Sequence, residues 1–191
     1  SIDVINSHHY TGTDAPETNV GNHNMGFEGD ETVMTLFDQL RAVKKSASAD
    51  GRPRQHWLTE FGWDTKAGPV VSPREQAAYL ARAYMMLAAA GTEKGFWFFD
   101  LDSTRSTTFF DGCGLFTPEG LPKLSYGAYA GLTQVLPAPE YLGTINAGEN
   151  TWVYLFRNQG KLVASLWTLK DEKGPTVNFE NAAVYDYLAN P

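Results

Sequence analysis

Short apolar runs alternate with amphipathic stretches along the first two thirds of the chain. Apolar and aromatic runs typical of buried strands cover residues 2–6, 56–62 and 95–100. After each run, apolar residues recur at helical spacing, over residues 30–51, 72–91 and 126–136. A strand followed by a helix, three times over, predicts right-handed parallel βαβ units.

Capping signals mark the ends of the predicted helices. Asp30 suits the N-cap of the first helix. Ser72, Pro73 and Glu75 open the second helix with an N-cap serine, a proline at the first helical position and a glutamate placed to close a capping box. Gly91 suits the left-handed residue that ends many helices, so this helix has the best-defined bounds.

The pattern changes after residue 138. Residues 152–157 and 161–169 alternate apolar and polar side chains around an Asn-Gln-Gly turn, which predicts a β-hairpin, and residues 182–188 predict one further strand. We therefore expect an α/β domain over residues 1–138 and a small antiparallel, β-sandwich-like module over residues 139–191.

Composition narrows the classes of partner. The 191 residues include 15 basic and 22 acidic side chains, a net charge of −7, and no basic stripe that would bind phosphates. The apolar stretches are shorter than the ~20 residues that span a bilayer. The single cysteine, Cys113, forms no internal disulfide, and no zinc-finger spacing occurs. We expect no nucleic-acid partner, no membrane span and no cofactor.

Polar and aromatic side chains follow all three predicted strands. His8 and Tyr10 follow the first, Glu60 and Trp63 lie at the end of the second, and Trp97 lies in the third. Because the carboxyl ends of parallel strands meet at one edge of a sheet or barrel, these groups are expected to converge. Aromatic rings stack on the C–H face of a sugar, and a carboxylate supplies acid, base or nucleophile chemistry.

Four segments together resemble the C-terminal portion of a clan A glycoside hydrolase. They are residues 3–10 (DVINSHHY), 57–63 (WLTEFGW), 95–100 (GFWFFD) and 114–129. The resemblance implies a (β/α)8 TIM barrel represented by strands six, seven and eight, and a trailing module similar to the small β-sandwich that often follows such barrels. It does not single out one family within the clan.

The same resemblance implies a role for each matched residue. Glu60 is then the nucleophile of a retaining glycosidase, and Tyr10, with His8 at the end of strand six, hydrogen-bonds it. Trp97 would form the floor of the sugar subsite. Trp63 follows the nucleophile in a loop, where a sugar contact and simple packing both remain open.

One departure from the clan pattern matters. The Asn-Glu pair that carries the acid/base does not occur in this sequence, and about half of a ~250-residue barrel is missing. We expect this chain alone to be inactive and to need the missing N-terminal barrel half, or a second chain, before a carbohydrate substrate is cleaved. The sugar, the linkage, and endo or exo action stay open.

Two alternatives belong to other functional classes. A non-catalytic carbohydrate-binding or incomplete barrel protein would keep the shape and lack a second carboxylate facing Glu60. A metal-dependent hydrolase would use His8 and His9 with Glu60 or His23. Adjacent residues of a strand point to opposite faces, so the two neighbouring histidines do not easily bind one ion, and we expect no metal site.

Overall fold

The computed structural model describes residues 2–18, 34–148, 150–169 and 181–191, and within these ranges it has a mixed α/β architecture. The elements are β1 (Val4–His9), α1 (Leu36–Ala47), β2 (Gln55–Phe61), α2 (Pro73–Ala90), β3 (Lys94–Trp97), α3 (Leu124–Val135), β4 (Pro139–Thr144), β5 (Thr151–Asn158) and β6 (Lys161–Thr168). None of the helices in the described ranges is long and apolar enough to cross a membrane.

The first three strands form a parallel sheet in the order β1-β2-β3, as the strand and helix alternation predicts. Buried Leu58 and Phe61 of the central strand belong to one apolar cluster with residues of α1 and α2. Gly95 of β3 lets α2 approach the sheet, because a Cβ there would collide with the side chains of Leu87 and Tyr84. The helices therefore cover one face of the sheet.

The predicted bounds of α2 are confirmed. The Ser72 hydroxyl accepts a hydrogen bond from the Glu75 amide at 3.2 Å, and the Glu75 carboxylate accepts one from the Ser72 amide at 2.7 Å. These two bonds complete the capping box. Gly91 adopts a φ of 76° and ends the helix in the left-handed conformation.

The start of α1 differs from the sequence prediction. The helix begins at Leu36, and Thr35 is its N-cap, with its hydroxyl accepting from the Asp38 amide at 3.2 Å. Met34 lies in an extended β-bridge, so the helix cannot reach back to an N-cap at Asp30, which itself lies outside the described residues. The periodic apolar pattern extends beyond the true end of the helix.

The second sheet is antiparallel, in the order β4-β5-β6. Its β5–β6 hairpin is confirmed, and Gln159 and Gly160 both have positive φ, at 50° and 77°, as a two-residue hairpin turn requires. The strand β4 was not predicted. Tyr154 and Phe156 of β5 join the apolar cluster that contains Leu36 of α1, so one core runs through both halves of the chain.

The predicted strand over residues 182–188 is wrong. This segment has no strand, and its Asp186 carboxylate accepts hydrogen bonds from the amides of Leu188 at 2.8 Å and Asn190 at 3.0 Å. Leu188 packs instead against a buried cluster formed by Ala77 and Leu80 of α2 and Ala128 of α3. A Cβ on Gly131 would meet the Leu188 carbonyl oxygen at 3.0 Å, so this glycine lets the segment lie close on α3.

Candidate active site

A bulge in β2 determines where Glu60 points. Ser7 of β1 pairs with Leu58, but His8 pairs with Glu60, so Thr59 is an extra residue in β2. Leu58 and Phe61 are consequently both buried although they are three positions apart. The Glu60 side chain lies on the other face, 33% exposed, at the carboxyl end of the central strand.

Tyr10 and His8 both contact the same oxygen of Glu60. The Tyr10 hydroxyl donates a hydrogen bond to Oε2 at 3.1 Å, and His8 Nδ1 lies 3.3 Å from that oxygen. Oε1 has no hydrogen-bond partner within the described ranges. The structure thus brings together three of the side chains singled out in the sequence and leaves one carboxylate oxygen held and the other open.

The phenol of Tyr10 remains a donor under ordinary conditions. Burial raises its pKa well above the usual value, and the negative charge of Glu60 raises it further. A neutral phenol can donate a hydrogen bond that stabilises the negative charge of a neighbouring carboxylate and does not itself carry a competing negative charge. Tyr10 is therefore suited to orient Glu60.

Three phenylalanines that the sequence interpretation did not select surround Tyr10. Its ring makes edge-to-face contacts with Phe110 (centroids 5.4 Å apart), Phe109 (5.9 Å) and Phe98 (6.5 Å). Phe110 is 39% exposed. The available signal was two consecutive aromatic residues within an otherwise polar loop, residues 102–114.

The loop that carries these rings is fixed at Gly112. The Gly112 carbonyl oxygen accepts hydrogen bonds from Lys123 Nζ at 2.9 Å, Gln76 Nε2 at 3.0 Å and the Thr65 amide at 3.2 Å. Its amide donates to Asp64 Oδ2 at 3.3 Å. These bonds tie the loop to α2, to the β2–α2 connection and to the start of α3.

Trp97 makes no hydrogen bond or ring contact with Glu60 or Tyr10 among the described residues, and its expected role as the floor of a sugar subsite stays a prediction. Its indole donates to the Cys113 carbonyl oxygen at 2.8 Å, and its ring packs against Phe61 and Trp63, with centroids 5.5 and 5.9 Å away. The register between β2 and β3 shifts between Leu58 and Phe61. As a result Phe98, the next residue after Trp97, lies beside Tyr10.

Trp63 belongs to the core, which decides between the two readings of this residue. Its side chain is 1% exposed, and its indole donates to Thr11 Oγ1 at 3.0 Å and to the Asp14 carbonyl oxygen at 2.8 Å. It therefore anchors the beginning of the β1–α1 loop and has no surface for a sugar. The rest of that predicted loop, residues 19–27, lies outside the described residues.

The two neighbouring histidines face opposite sides of the sheet. His8 meets Glu60, whereas His9 is buried, and burial lowers the pKa of His9 to about 4. His23, the other histidine considered for a metal, lies outside the described residues. Within the described ranges no three His, Cys, Asp or Glu side chains are grouped so as to hold a metal ion.

No family model and no curated protein matches the sequence. A family 39 glycoside hydrolase from the gut symbiont Bacteroides cellulosilyticus WH2 matches in structure with a TM-score of 0.71 and 24% identity, over 88% of this chain and 34% of that one. The chain thus spans about a third of that protein and has a fold found in part of a glycoside hydrolase.

Two β-glucuronidases match more weakly. The enzyme from Ruminococcus gnavus has a TM-score of 0.42 and 20% identity, over 63% of this chain and 20% of its own length. β-Glucuronidase 2 from Bacteroides uniformis has a TM-score of 0.42 and 14% identity, over 86% of this chain and 25% of its own length.

Proposed function

We propose that this chain is the C-terminal part of a retaining glycoside hydrolase that cleaves O-glycosidic bonds of an oligo- or polysaccharide, with Glu60 as the nucleophile. In this proposal β1, β2 and β3 are strands six, seven and eight of a (β/α)8 barrel. The observation that carries it is the position of Glu60 at the carboxyl end of a central parallel strand, with Oε2 bound by Tyr10 and His8 and with no hydrogen bond from the described residues to Oε1. Barrel enzymes build their active sites at that end of the strands.

The open oxygen is the one suited to attack. Oε1 of Glu60 would bond to the anomeric carbon while a second carboxylic acid protonates the departing oxygen, and water would then hydrolyse the glycosyl-enzyme. Retention needs the two carboxyl groups about 5 to 5.5 Å apart. Tyr10 and His8 hold the other oxygen, so the carboxylate would enter the reaction already oriented.

Further barrel strands are needed to complete the site. Parallel sheets are normally covered on both faces, yet the aromatic rings of Trp57 and Phe96 lie together on the face away from the helices, and Phe96 is exposed. Both β1 and β3 are edge strands within the described sheet. The missing N-terminal barrel half, or a second chain, would cover these features and carry the acid/base, so the chain alone would be inactive.

One observation favours a second candidate, a carbohydrate-binding protein without hydrolysis. Within the described ranges, the close polar contacts of the Glu60 carboxylate come from Tyr10 and His8, and no second carboxyl group joins them. If the completed protein also lacked such a group, a sugar could bind and would not be cleaved.

The test uses the complete protein of which this chain is proposed to be the C-terminal part, called here the natural-length protein. Three proteins are assayed with a panel of 4-nitrophenyl glycosides of both anomers: the wild type, Glu60→Gln and the control Glu140→Gln. The control changes an exposed glutamate that is paired with Arg157 on the second sheet. The proposal expects turnover in the wild type and the control and only background in Glu60→Gln. A 2-deoxy-2-fluoro glycoside should add one sugar mass to the peptide that contains Glu60.

The two candidates give different results in this assay. Turnover that survives Glu60→Gln would overturn the role of Glu60. Sugar binding by the wild type without any turnover would support the non-catalytic protein instead.

A further inference from the structure

Thr59, the extra residue of the bulge in β2, makes two hydrogen bonds to β1 that the mechanism above does not use. Its hydroxyl donates to the Ser7 carbonyl oxygen at 3.4 Å and accepts from Asn6 Nδ2 at 3.2 Å. Ser7 is the last residue of β1 before the register shifts. Because a bulge interrupts the regular hydrogen bonds between two strands, the Thr59 side chain connects the strands at the point where their ladder is interrupted.

The bulge brings the side chains of Thr59 and Glu60 to the same face of the sheet. Asn6 and His8 are two positions apart in β1, and alternate residues of a strand share a face. Asn6 bonds to Thr59, whereas His8 contacts Glu60. In a regular strand two consecutive side chains point to opposite faces, and Glu60 would then point to the side of buried Leu58.

Ser7, which accepts the bond from Thr59, is itself anchored from the helix-covered side of the sheet. Its hydroxyl lies 2.8 Å from Nε2 of His56, a fully buried residue whose Nδ1 lies 3.1 Å from the Thr92 hydroxyl. The Thr59 hydroxyl therefore bonds to a carbonyl group of a fixed residue. Since His8 follows Ser7 directly, this bond also sets the position of His8 relative to β2.

We propose that Thr59 is a positioning residue of the proposed glycosidase. Its hydroxyl bonds β2 to β1, keeps the bulge in place and thereby aims Glu60 at Tyr10 and His8. This inference rests on the proposed function and adds a residue to the same site, one that acts through Glu60. Without the hydroxyl, the bulged pairing competes less well with a regular one, and a smaller fraction of the molecules holds the carboxylate in the reactive orientation.

The kinetic test uses two substitutions of Thr59 in the natural-length protein. Thr59→Val has nearly the same shape and lacks the hydroxyl, so it should lower kcat for the best 4-nitrophenyl glycoside about three- to tenfold, with KM within about twofold of the wild type. Thr59→Ser keeps the hydroxyl and should restore kcat to within about twofold of the wild type.

The matched control is Thr133→Val. It removes a threonine hydroxyl that donates to the Ala130 carbonyl oxygen at 2.8 Å within α3, and it should leave kcat and KM unchanged. The thermal midpoint of each variant establishes that it is folded. If Thr59→Val does not fold, Asn6→Ala takes its place, because it removes the amide that donates to the Thr59 hydroxyl and leaves the sequence of β2 unchanged.

A double-mutant cycle with Tyr10→Phe distinguishes positioning from a general structural effect. If Thr59 acts by aiming Glu60 at Tyr10, part of its effect is already lost in Tyr10→Phe, and Thr59→Val should lower kcat less than about twofold in that background. A substitution with a purely structural effect would lower kcat by the same factor in both backgrounds.

The outcomes separate this inference from the proposed function. The inference alone is overturned if Glu60→Gln loses turnover while Thr59→Val keeps the kcat of the wild type, changes only KM, or lowers kcat equally in both backgrounds of the cycle. Absence of hydrolysis in the wild type, or turnover that survives Glu60→Gln, overturns the proposed function and this inference with it.

Discussion

Replacing Tyr10 by phenylalanine tests the geometry around Glu60 most directly. The substitution removes only the hydroxyl that donates to Oε2 at 3.1 Å, and a phenylalanine ring keeps the contacts with Phe98 and Phe110. A hydrogen bond to a charged group contributes about 1.5 to 3 kcal/mol, and the partial exposure of Glu60, 33%, favours the lower end.

A loss of about 1.5 kcal/mol corresponds to roughly a tenfold fall in kcat/KM. The assay is steady-state hydrolysis of the best 4-nitrophenyl glycoside by the natural-length protein. Tyr141→Phe is the matched control, because it removes a tyrosine hydroxyl that bonds to Thr144 on the second sheet. Since burial and Glu60 raise the pKa of Tyr10, the tenfold difference should be the same from pH 5 to pH 8.

Two results would refute this reasoning. Activity of Tyr10→Phe within twofold of the wild type, in a folded protein, would mean that the hydroxyl does not orient the reactive carboxylate. A deficit that disappears at alkaline pH would mean that the phenol ionises in the wild type, contrary to the environment described above.

Three further predictions concern stability. Burial lowers the pKa of His9 to about 4, so the stability that its neutral imidazole gives is present above pH 6.5 and is lost as the pH falls towards 4. Between pH 7 and pH 5, the free energy of unfolding in urea should therefore fall by about 2 kcal/mol more for the wild type than for His9→Gln. Equal losses in the two proteins would contradict this. Gly112→Ala should lower the free energy of unfolding by about 1 to 3 kcal/mol, because its Cβ would lie 2.7 Å from the Lys66 amide nitrogen. The control Gly127→Ala meets only an ordinary contact at 3.6 Å and should be neutral or stabilising. Equal thermal midpoints of the two variants would argue against the clash. Ser72→Ala should cost about 1 kcal/mol and speed hydrogen exchange in the first turn of α2, and unchanged exchange would show that the capping box contributes little.

The sequence was sufficient where local chemistry decides the structure. Ser72 and Gly91 mark helix ends through bonds and dihedral angles that involve only their neighbours, and the Gln159-Gly160 turn is equally local. The grouping of His8 with Glu60 followed from a topological rule, since parallel strands end at one edge. These features needed no knowledge of distant packing.

Long-range packing decided the features that the sequence did not predict. Period-two alternation assigns Trp97 to a face only if the register is regular, and the shift between Leu58 and Phe61 breaks that regularity. Trp63 could be placed only once Thr11 and Asp14 were known to accept from its indole. The position of a ring such as Phe110 likewise depends on a loop anchored by residues far apart in sequence.

The core that joins the two sheets has a consequence for cutting the chain. Phe37 of α1 and Tyr154 of β5 lie with ring centroids 5.7 Å apart, and Phe156 is fully buried in the same cluster. A truncation after residue 138 would uncover these apolar groups on α1 and α2. We therefore expect the amide hydrogens of the second sheet and of the helices to exchange through one common opening. We also expect the sheet and the helices to be retained together as one unit in related proteins. A swap of this sheet between such proteins would then succeed only if α1 is exchanged with it.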